Sequence, residues 1–220
     1  DANPNTIVVL IAGSAVHMAP WYQQPGAILQ TFYSGMEGGA ALADLLFGDC
    51  VPSARLPFTV AQDQADYPFF DKNADAIEYG PLHGYTLLES AGKHALFPFG
   101  YGLSYTTFAY RGLKVRNAGT HLQIQVSVVN TGDRQAEEVV QIYVGAPGNA
   151  VAQPPKKLQA FCRLDIAPGA VQTARLSVPL EQLRYWSEAT AQWVLEPGDY
   201  YVYAGGCSVS ANALRCVVTL

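Results

Sequence analysis

Residues 96–108 (LFPFGYGLSYTTF) constrain the fold more than any other stretch of this sequence. Pro98 has no backbone N–H and disfavours a helical conformation at Phe97. Gly100 and Gly102 permit backbone angles that are closed to other residues. The sequence before this aromatic strap, as we call residues 96–108, has an α/β pattern, and the sequence after it reads as β almost to the end. We therefore predict that the strap is apolar, non-helical and buried against both parts.

Charge and hydropathy exclude several classes of protein. Of the 220 residues, 50% are hydrophobic and 14% are charged, against roughly 25% charged in ordinary globular domains. Two explanations stay open: a weakly charged β-rich protein, or a surface that another chain covers. A net charge of −5, with 13 basic residues and no basic cluster, argues against nucleic-acid binding. No apolar run approaches the roughly 20 residues of a membrane span.

The N-terminus and the cysteines leave the compartment open. No signal peptide is apparent in residues 1–5. We favour a periplasmic or secreted location over a cytoplasmic one. The 4 cysteines form no C-x-x-C pair, so a zinc cluster or a thioredoxin site is not expected. Cys207 and Cys216 flank a predicted hairpin; they either face each other across it or are buried free thiols. The histidines form no cluster with carboxylates, and we expect no metal and no cofactor.

The first part of the chain has an α/β pattern. Residues 6–12 form a continuous apolar run that predicts a strand covered on both faces, and residues 27–32 predict a second strand. The first strand ends at Ser14, where an α/β sheet usually presents a loop to a ligand. Residues 37–47 have a helical apolar face, and Gly48 is a natural helix stop.

These elements make an incomplete domain. Two strands and one helix cannot cover both faces of a parallel sheet. Residues 51–95 show no strong period and contain four prolines, so we expect an irregular passage that wraps another structure. Residues 1 to about 105 therefore resemble the second part of an α/β domain whose first part lies elsewhere.

After the strap the period becomes two. Residues 121–128, 138–144 and 171–178 alternate between apolar and polar apart from local slips, with turn signals at residues 130–133 and 167–169. Short strands separated by turns predict a β-sandwich of immunoglobulin or fibronectin type. We expect the core of this sandwich to be anchored by Leu183, Trp186 and Trp193.

No complete active site is apparent in the sequence. Glu37 and Asp44 share a helix face, but seven residues place them roughly 10 Å apart along the axis. A retaining glycosidase holds its two carboxyl groups about 5–5.5 Å apart. We expect Glu37 to bond local backbone at the helix start, where it suits the positive end of the dipole. We predict no catalytic residue and no metal ligand in this chain.

Motifs along nearly the whole chain resemble one family. They occur at residues 3–10, 33–39, 43–49 and 52–57, in the strap, and at residues 130–132, 139–144, 155–158, 167–169 and 186. In their order and spacing, these motifs resemble the C-terminal half of glycoside hydrolase family 3 β-glucosidases.

The resemblance implies three segments and a missing partner. Residues 1–61 would be the C-terminal part of an α/β sandwich domain, residues 62–106 a connecting segment with the strap, and residues 107–220 a fibronectin-III-like β-sandwich. In the family, a (β/α)8-like barrel carries the nucleophilic Asp, and the acid/base Glu comes from a sandwich loop upstream of the motifs found here. The resemblance thus implies that an N-terminal polypeptide of the same enzyme is the partner, with no nucleic acid and no membrane.

The resemblance also implies an activity. The complete enzyme would be an exo-acting glycosidase that hydrolyses terminal β-D-glucosides with retention, in a β-glucoside or an oligosaccharide. Whether the complete enzyme is a homo-oligomer stays open. Ser14 and Glu37 are the substrate-binding candidates.

Alternatives stay open at two levels. The first alternative is that the complete enzyme is a β-xylosidase instead of a β-glucosidase. The second is that the chain is a non-catalytic carbohydrate-binding or scaffold module. The chain departs from the family at Ser34 (usually Pro), Met36 (usually Gln), Ala54 (usually Gly) and Thr86 (usually Arg), which leaves the substrate preference open.

Overall fold

The computed structural model describes residues 3, 5–148, 151 and 153–220. The chain forms two compact units. The first unit comprises Asp1–Val51 and Leu56–Phe99, and the second comprises Pro52–Arg55 and Gly100–Leu220. The predicted fold class, a partial α/β domain followed by an all-β sandwich, is confirmed. Among the described residues, no helix is long and apolar enough to cross a membrane.

The first unit contains the two strands and the helix that the sequence predicts. Strand β1 (Ile7–Leu10) pairs in parallel with β2 (Ala27–Gln30). Helix α1 (Gly38–Phe47) ends at Gly48, whose left-handed backbone has a φ of 81° and whose N–H donates to the Leu45 carbonyl. Glu37 is the N-cap residue of α1 rather than part of its first turn.

The expectation that β1 is covered on both faces is wrong for the described chain. Ile7 is 47% exposed, and the other three residues of β1 are half-buried. Helix α1 has no buried residue at all. The physical reason is that this sheet has two strands, so one helix and the nearby loops cannot cover its apolar faces.

Residues 51–95 are less irregular than the sequence indicates. Strand β3 (Val60–Ala61) pairs antiparallel with β4 (Ala95–Phe97), and α2 (Tyr85–Ser90) lies between them in the chain. Val60 and Leu88 are buried. These elements have two to six residues each, which is too short for a period to appear in the sequence.

The second unit contains two antiparallel sheets. One has the order β5-β6-β9, and the other has the order β13-β12-β7-β8. Their strands are β5 (Phe108–Asn117), β6 (His121–Asn130), β7 (Ala136–Gly145), β8 (Lys157–Ile166), β9 (Val171–Pro179), β12 (Asp199–Gly205) and β13 (Arg215–Thr219). A separate hairpin consists of β10 (Tyr185–Ser187) and β11 (Gln192–Val194). The core contains Leu122, Ile124 and Val126 of β6 with Val140 and Ile142 of β7.

Two of the three expected core anchors lie at the surface. Leu183 packs against the core, but Trp186 and Trp193 are 50% and 62% exposed. The two indoles are cross-strand partners, with ring centroids 5.7 Å apart. The expectation fails because β10 and β11 pair with each other and belong to neither sandwich sheet.

The strap enters both units. In the first unit, Phe97 lies edge-to-face with Tyr22 at 6.1 Å, and Phe99 stacks on Tyr85 at 4.9 Å between centroids. In the second unit, Thr106 Oγ1 donates to Asn130 Oδ1 at 2.6 Å. The strap is half-buried rather than fully buried, and its Leu103 is 73% exposed.

Glycines bring the second-unit part of the strap close to its neighbours. The Gly100 carbonyl accepts a hydrogen bond from Gln141 Nε2 at 3.2 Å. A Cβ atom at Gly100, where φ is 80°, would lie 2.0 Å from Gln141 Oε1. A Cβ atom at Gly102 would lie 2.7 Å from the Ala54 carbonyl oxygen. A side chain at Gly102 would therefore clash with the backbone of Pro52–Arg55, whereas one at Gly100 would displace the Gln141 side chain and strain a left-handed backbone.

A buried ion pair lies beside the strap. Arg55 Nη2 is 2.5 Å from Glu138 Oε2, and the two side chains are 8% and 4% exposed. The Tyr110 hydroxyl donates to the other Glu138 oxygen at 2.6 Å. Burial, followed by the negative charge of Glu138, raises the pKa of Tyr110 well above its ordinary value of 10.0. Each Glu138 oxygen therefore has its own charged or polar partner inside the second unit.

The cysteines are free thiols. Cys216 of β13 lies opposite Val202 of β12, whereas Cys207 follows the end of β12. The Cys207 thiol is 3.3 Å from Ser210 Oγ. The two thiols therefore do not face each other across the hairpin; Cys207 is buried and Cys216 is half-buried.

Arg55→Met tests the buried ion pair. It should lower the free energy of unfolding by about 3–5 kcal/mol, because Glu138 would stay buried without its cation. The matched control is Arg163→Met, which removes the partner of the adjacent Glu137, where the side chains are 54% and 43% exposed. That change should cost less than about 1 kcal/mol. Urea unfolding followed by circular dichroism measures both; equal losses would show that burial of the pair is unimportant.

Tyr110→Phe tests the raised pKa. Above about pH 10, unfolded tyrosine releases a proton that folded Tyr110 keeps, so the unfolded state binds fewer protons and stability falls as the pH rises. This contribution is present in full below about pH 10, and its loss reaches about 1.4 kcal/mol per pH unit. The decline in urea midpoint between about pH 9 and 11 should be shallower in Tyr110→Phe than in the unsubstituted chain. Tyr33→Phe, at a ring that is 77% exposed, is the control.

Candidate functional site

The loops that follow β1 and β2 lie at the same edge of the parallel sheet. The Thr31 N–H and the Thr31 hydroxyl both donate to the Leu10 carbonyl at 3.0 Å. Gln30 Nε2 donates to the Ala12 carbonyl at 2.8 Å. These hydrogen bonds hold Thr31, which follows β2, against the end of β1, and Ala12, which follows β1, against the end of β2. We call the two loops, residues 11–14 and 31–37, together the sheet-edge site.

Tyr33 is the residue of this site that the sequence reasoning missed. Its ring lies against Gly13, where a Cβ atom would be 2.7 Å from Tyr33 Cε2. The Tyr33 side chain is 77% exposed, so its hydroxyl is available to a ligand. The signal in the sequence was weak, because a glycine after a strand indicates a close approach but not the residue that makes it.

The two predicted site residues lie in these two loops. Ser14 is exposed in the first loop, next to Gly13. Glu37 is exposed at the end of the second loop, and its carbonyl accepts the Ala41 N–H at 3.0 Å. Its carboxylate makes no capping hydrogen bond, so the expectation that this side chain bonds local backbone is wrong. The carboxylate therefore stays available at the N-terminus of α1.

The backbone of the second loop is strained at one residue. Phe32 has a φ of 55°, which is uncommon for a residue with a bulky side chain. Its ring lies edge-to-face with Phe58 at a centroid distance of 5.9 Å. Such backbone strain persists only where the surrounding structure holds the residue in place. The positive φ of Phe32 turns the chain from β2 towards Tyr33 and Glu37.

The sheet-edge site is suited to binding rather than to bond cleavage. It presents a hydroxyl, a phenol and a carboxylate, which together donate and accept hydrogen bonds. A general acid and base pair would need a second carboxyl group positioned beside Glu37, and residues 11–14 contain none. Among the described residues, no group of three or more His, Cys, Asp or Glu side chains could hold a metal ion.

Apolar side chains beside the site are open to solvent. Ile11 of the first loop is 69% exposed, and Met36 of the second loop is 98% exposed. Phe47, the last residue of α1, is 85% exposed. Large apolar side chains left this exposed in one unit favour an interaction surface there.

Two other surface features lie outside the sheet-edge site. A groove of about 590 Å³ in the first unit is lined almost entirely by apolar residues between positions 68 and 87, with Glu78 as its charged member. In the second unit, Tyr200 is 2% exposed in the core. Arg215 and Lys156 lie over the rings of Tyr201 and Tyr203 at 5.0 and 5.6 Å. These tyrosines therefore do not form the exposed aromatic row that a carbohydrate-binding module needs. The Trp186–Trp193 pair is an exposed aromatic surface of the second unit that could stack on a sugar ring.

Comparison with family models divides the chain in two. Residues 1–105 match the model described as glycosyl hydrolase family 3 C-terminal domain. Residues 138–208 match the model described as fibronectin type III-like domain. The resemblance inferred from the motifs is confirmed by these two matches.

The chain is also similar to individual glycosidases over nearly its whole length. The chain is 37% identical to a β-glucosidase of Kluyveromyces marxianus, over 94% of this chain and 25% of that protein. It is 36% identical to an exo-α-(1→6)-L-arabinopyranosidase of Bifidobacterium breve, over 94% of this chain and 28% of that protein. The crystal structure of a Bifidobacterium adolescentis β-glucosidase superposes with a TM-score of 0.92 at 35% identity, over 99% of this chain and 33% of that one. The chain thus spans about a quarter to a third of the length of the relatives that it matches.

Proposed function

Because this chain belongs to glycoside hydrolase family 3 through the C-terminal domains that it carries, we propose that it forms part of a β-glucosidase. In this proposal, the complete enzyme is exo-acting and hydrolyses terminal β-D-glucosides with retention, through a glycosyl-enzyme intermediate. The nucleophilic Asp and the acid/base Glu belong to an N-terminal polypeptide that carries the (β/α)8-like barrel. The support is that the chain spans only a quarter to a third of its relatives.

The open apolar surface of the first unit is the observation that favours this proposal most. Strands β1 and β2 and helix α1 contain no fully buried residue, although all three are rich in apolar side chains. Covering a side chain such as Ile11 or Phe47 contributes about 1.5–3 kcal/mol. The occupant that fits is the N-terminal polypeptide, since the relatives have most of their length outside the matched region.

In this proposal, the chain contributes structure and substrate contacts but neither of the two catalytic carboxyl groups. Residues 1–61 complete the α/β sandwich domain, residues 62–106 connect it, and residues 107–220 form the fibronectin-III-like domain. The sheet-edge site contributes Ser14 and Glu37, with Tyr33, to the outer side of the sugar pocket. Hydroxyl and carboxylate groups there hydrogen-bond sugar hydroxyls and orient the substrate, while the partner supplies the two catalytic carboxyl groups.

Two alternatives have specific support. The arabinopyranosidase relative shows that proteins similar to this chain differ in substrate, so a β-xylosidase is the second candidate for the enzyme. The exposed Trp186–Trp193 pair favours a non-catalytic carbohydrate-binding module as a candidate from a different class.

Co-expression with an N-terminal polypeptide that carries the (β/α)8-like barrel of a family 3 β-glucosidase tests the assembly. We expect the two to co-purify and to cleave an aryl β-D-glucoside faster than an aryl β-D-xyloside. Phe47→Glu should abolish both co-purification and activity, because it places a charge in the proposed apolar interface. Phe161→Glu is the matched control, since Phe161 is 65% exposed on β8 of the second unit, and it should leave both unchanged. Hydrolysis of neither glycoside by the co-purified pair would contradict the proposal.

Steady-state kinetics test the site residues. Ser14→Ala and Glu37→Gln should each raise KM about three- to tenfold and change kcat by less than about twofold, because they bind the ground state and the transition state alike. Asp44→Asn, at another exposed carboxylate of α1, should leave both constants unchanged. A large fall in kcat with an unchanged KM would assign these residues to the chemical step instead.

A further inference from the structure

The sheet β5-β6-β9 presents one face to the core and one to solvent. Its register places the outward residues in transverse rows across the three strands. The rows are Arg111, Ser127 and Thr173; Lys114, Gln125 and Arg175; and Arg116, Gln123 and Ser177. We call these nine residues the outer face. No sequence motif marks it, since it exists only when the strands are aligned.

The outer face has positive charge with no compensating carboxylate. Arg111, Lys114, Arg116 and Arg175 are all exposed. The three strands contain no Asp and no Glu. None of these four side chains forms an ion pair within the part of the chain that the structure describes. This contrasts with the net charge of −5 for the whole chain.

The charges are spaced for an extended partner. Lys114 and Arg175 lie on either side of Gln125, so their Cα atoms are two strand spacings, or about 10 Å, apart. Lys114 and Arg116 are alternate residues of one strand, about 7 Å apart. A linear polyanion lying across the flat sheet would contact several of these cations at once.

The groups between the cations favour sugars over nucleotides. Gln123 and Gln125 present amides, and Ser127 and Thr173 present hydroxyls whose oxygens are 3.5 Å apart. Amides and hydroxyls both donate and accept hydrogen bonds, as sugar hydroxyls require. The nine residues include no aromatic ring, so the outer face has no platform on which nucleic-acid bases would stack.

We propose that the outer face binds an anionic polysaccharide, whose carboxylate or sulfate groups lie over the cations and whose hydroxyls meet the amides and hydroxyls between them. This site is separate from the sheet-edge site and does not depend on the proposed hydrolase activity. It gives the second unit a binding role that requires neither the Trp186–Trp193 pair nor an N-terminal partner.

Affinity electrophoresis of the full 220-residue chain tests the proposal. Polygalacturonate and dextran sulfate are the anionic probes, and unmodified dextran is the neutral one. We expect an anionic probe to retard the chain, the neutral probe to have no effect, and added salt to weaken binding, because the contacts are screened charges. Lys114→Gln combined with Arg175→Gln should weaken binding about tenfold or more.

The matched control changes the same charge elsewhere. Lys157→Gln combined with Arg184→Gln removes two exposed cations of the second unit that lie outside the outer face. We expect this control to bind as the unsubstituted chain does. If both double substitutions weakened binding equally, binding would depend on the total charge of the chain rather than on the outer face, and the proposal would be overturned. Failure of both anionic probes would also overturn it, as would equal binding of neutral dextran or tighter binding of single-stranded DNA. Retardation by one anionic probe alone would identify its acidic group.

Discussion

The second unit depends on how the Glu138 carboxylate is satisfied inside the protein. An isolated buried carboxylate is very costly, so the fold must supply a cation and a hydrogen-bond donor at fixed positions. The cation is Arg55, which precedes the strap in sequence by more than 40 residues, and the donor is the Tyr110 hydroxyl on β5. Space for this arrangement requires Gly206, where a Cβ atom would lie 2.8 Å from Glu138 Oε1. One buried charge thus fixes the positions of β5, β7 and Pro52–Arg55.

A different constraint governs the first unit, where apolar faces lack a cover. A parallel pair of strands is stable when both of its faces are buried, but β1, β2 and α1 leave side chains such as Ile11 and Phe47 in solvent. The same loops that end these strands present Ser14, Tyr33 and Glu37. Under the proposed function, this polar edge is where the sugar pocket meets the N-terminal part of the enzyme.

The sequence predicted those parts of the fold whose burial repeats regularly along the chain. Strands β6 and β9 were predictable because one covered face produces alternation along the chain, β7 because it is rich in β-branched apolar residues, and α1 because Gly48 stops it. The Trp186–Trp193 hairpin was misplaced in the core, since hydrophobicity alone does not show that a short hairpin pairs only with itself. Tyr33 was missed because its contact with Gly13 depends on where two loops meet. The position of Ser14 was identified from the end of the first strand, and that of Glu37 from the start of the helix and from the resemblance. That these two residues bind substrate is part of the proposed function.

The short stretch Pro52–Arg55 also determines how far the β-sandwich can be treated as a portable module. A segment beginning at residue 107 contains all nine strands from β5 to β13 but omits Arg55 and most of the strap. Such a segment would keep Glu138 in its buried place and lose the cation that neutralises it. The functional boundary of this domain is therefore discontinuous in sequence, and an excision or graft that follows the strand pattern alone would leave an internal charge defect.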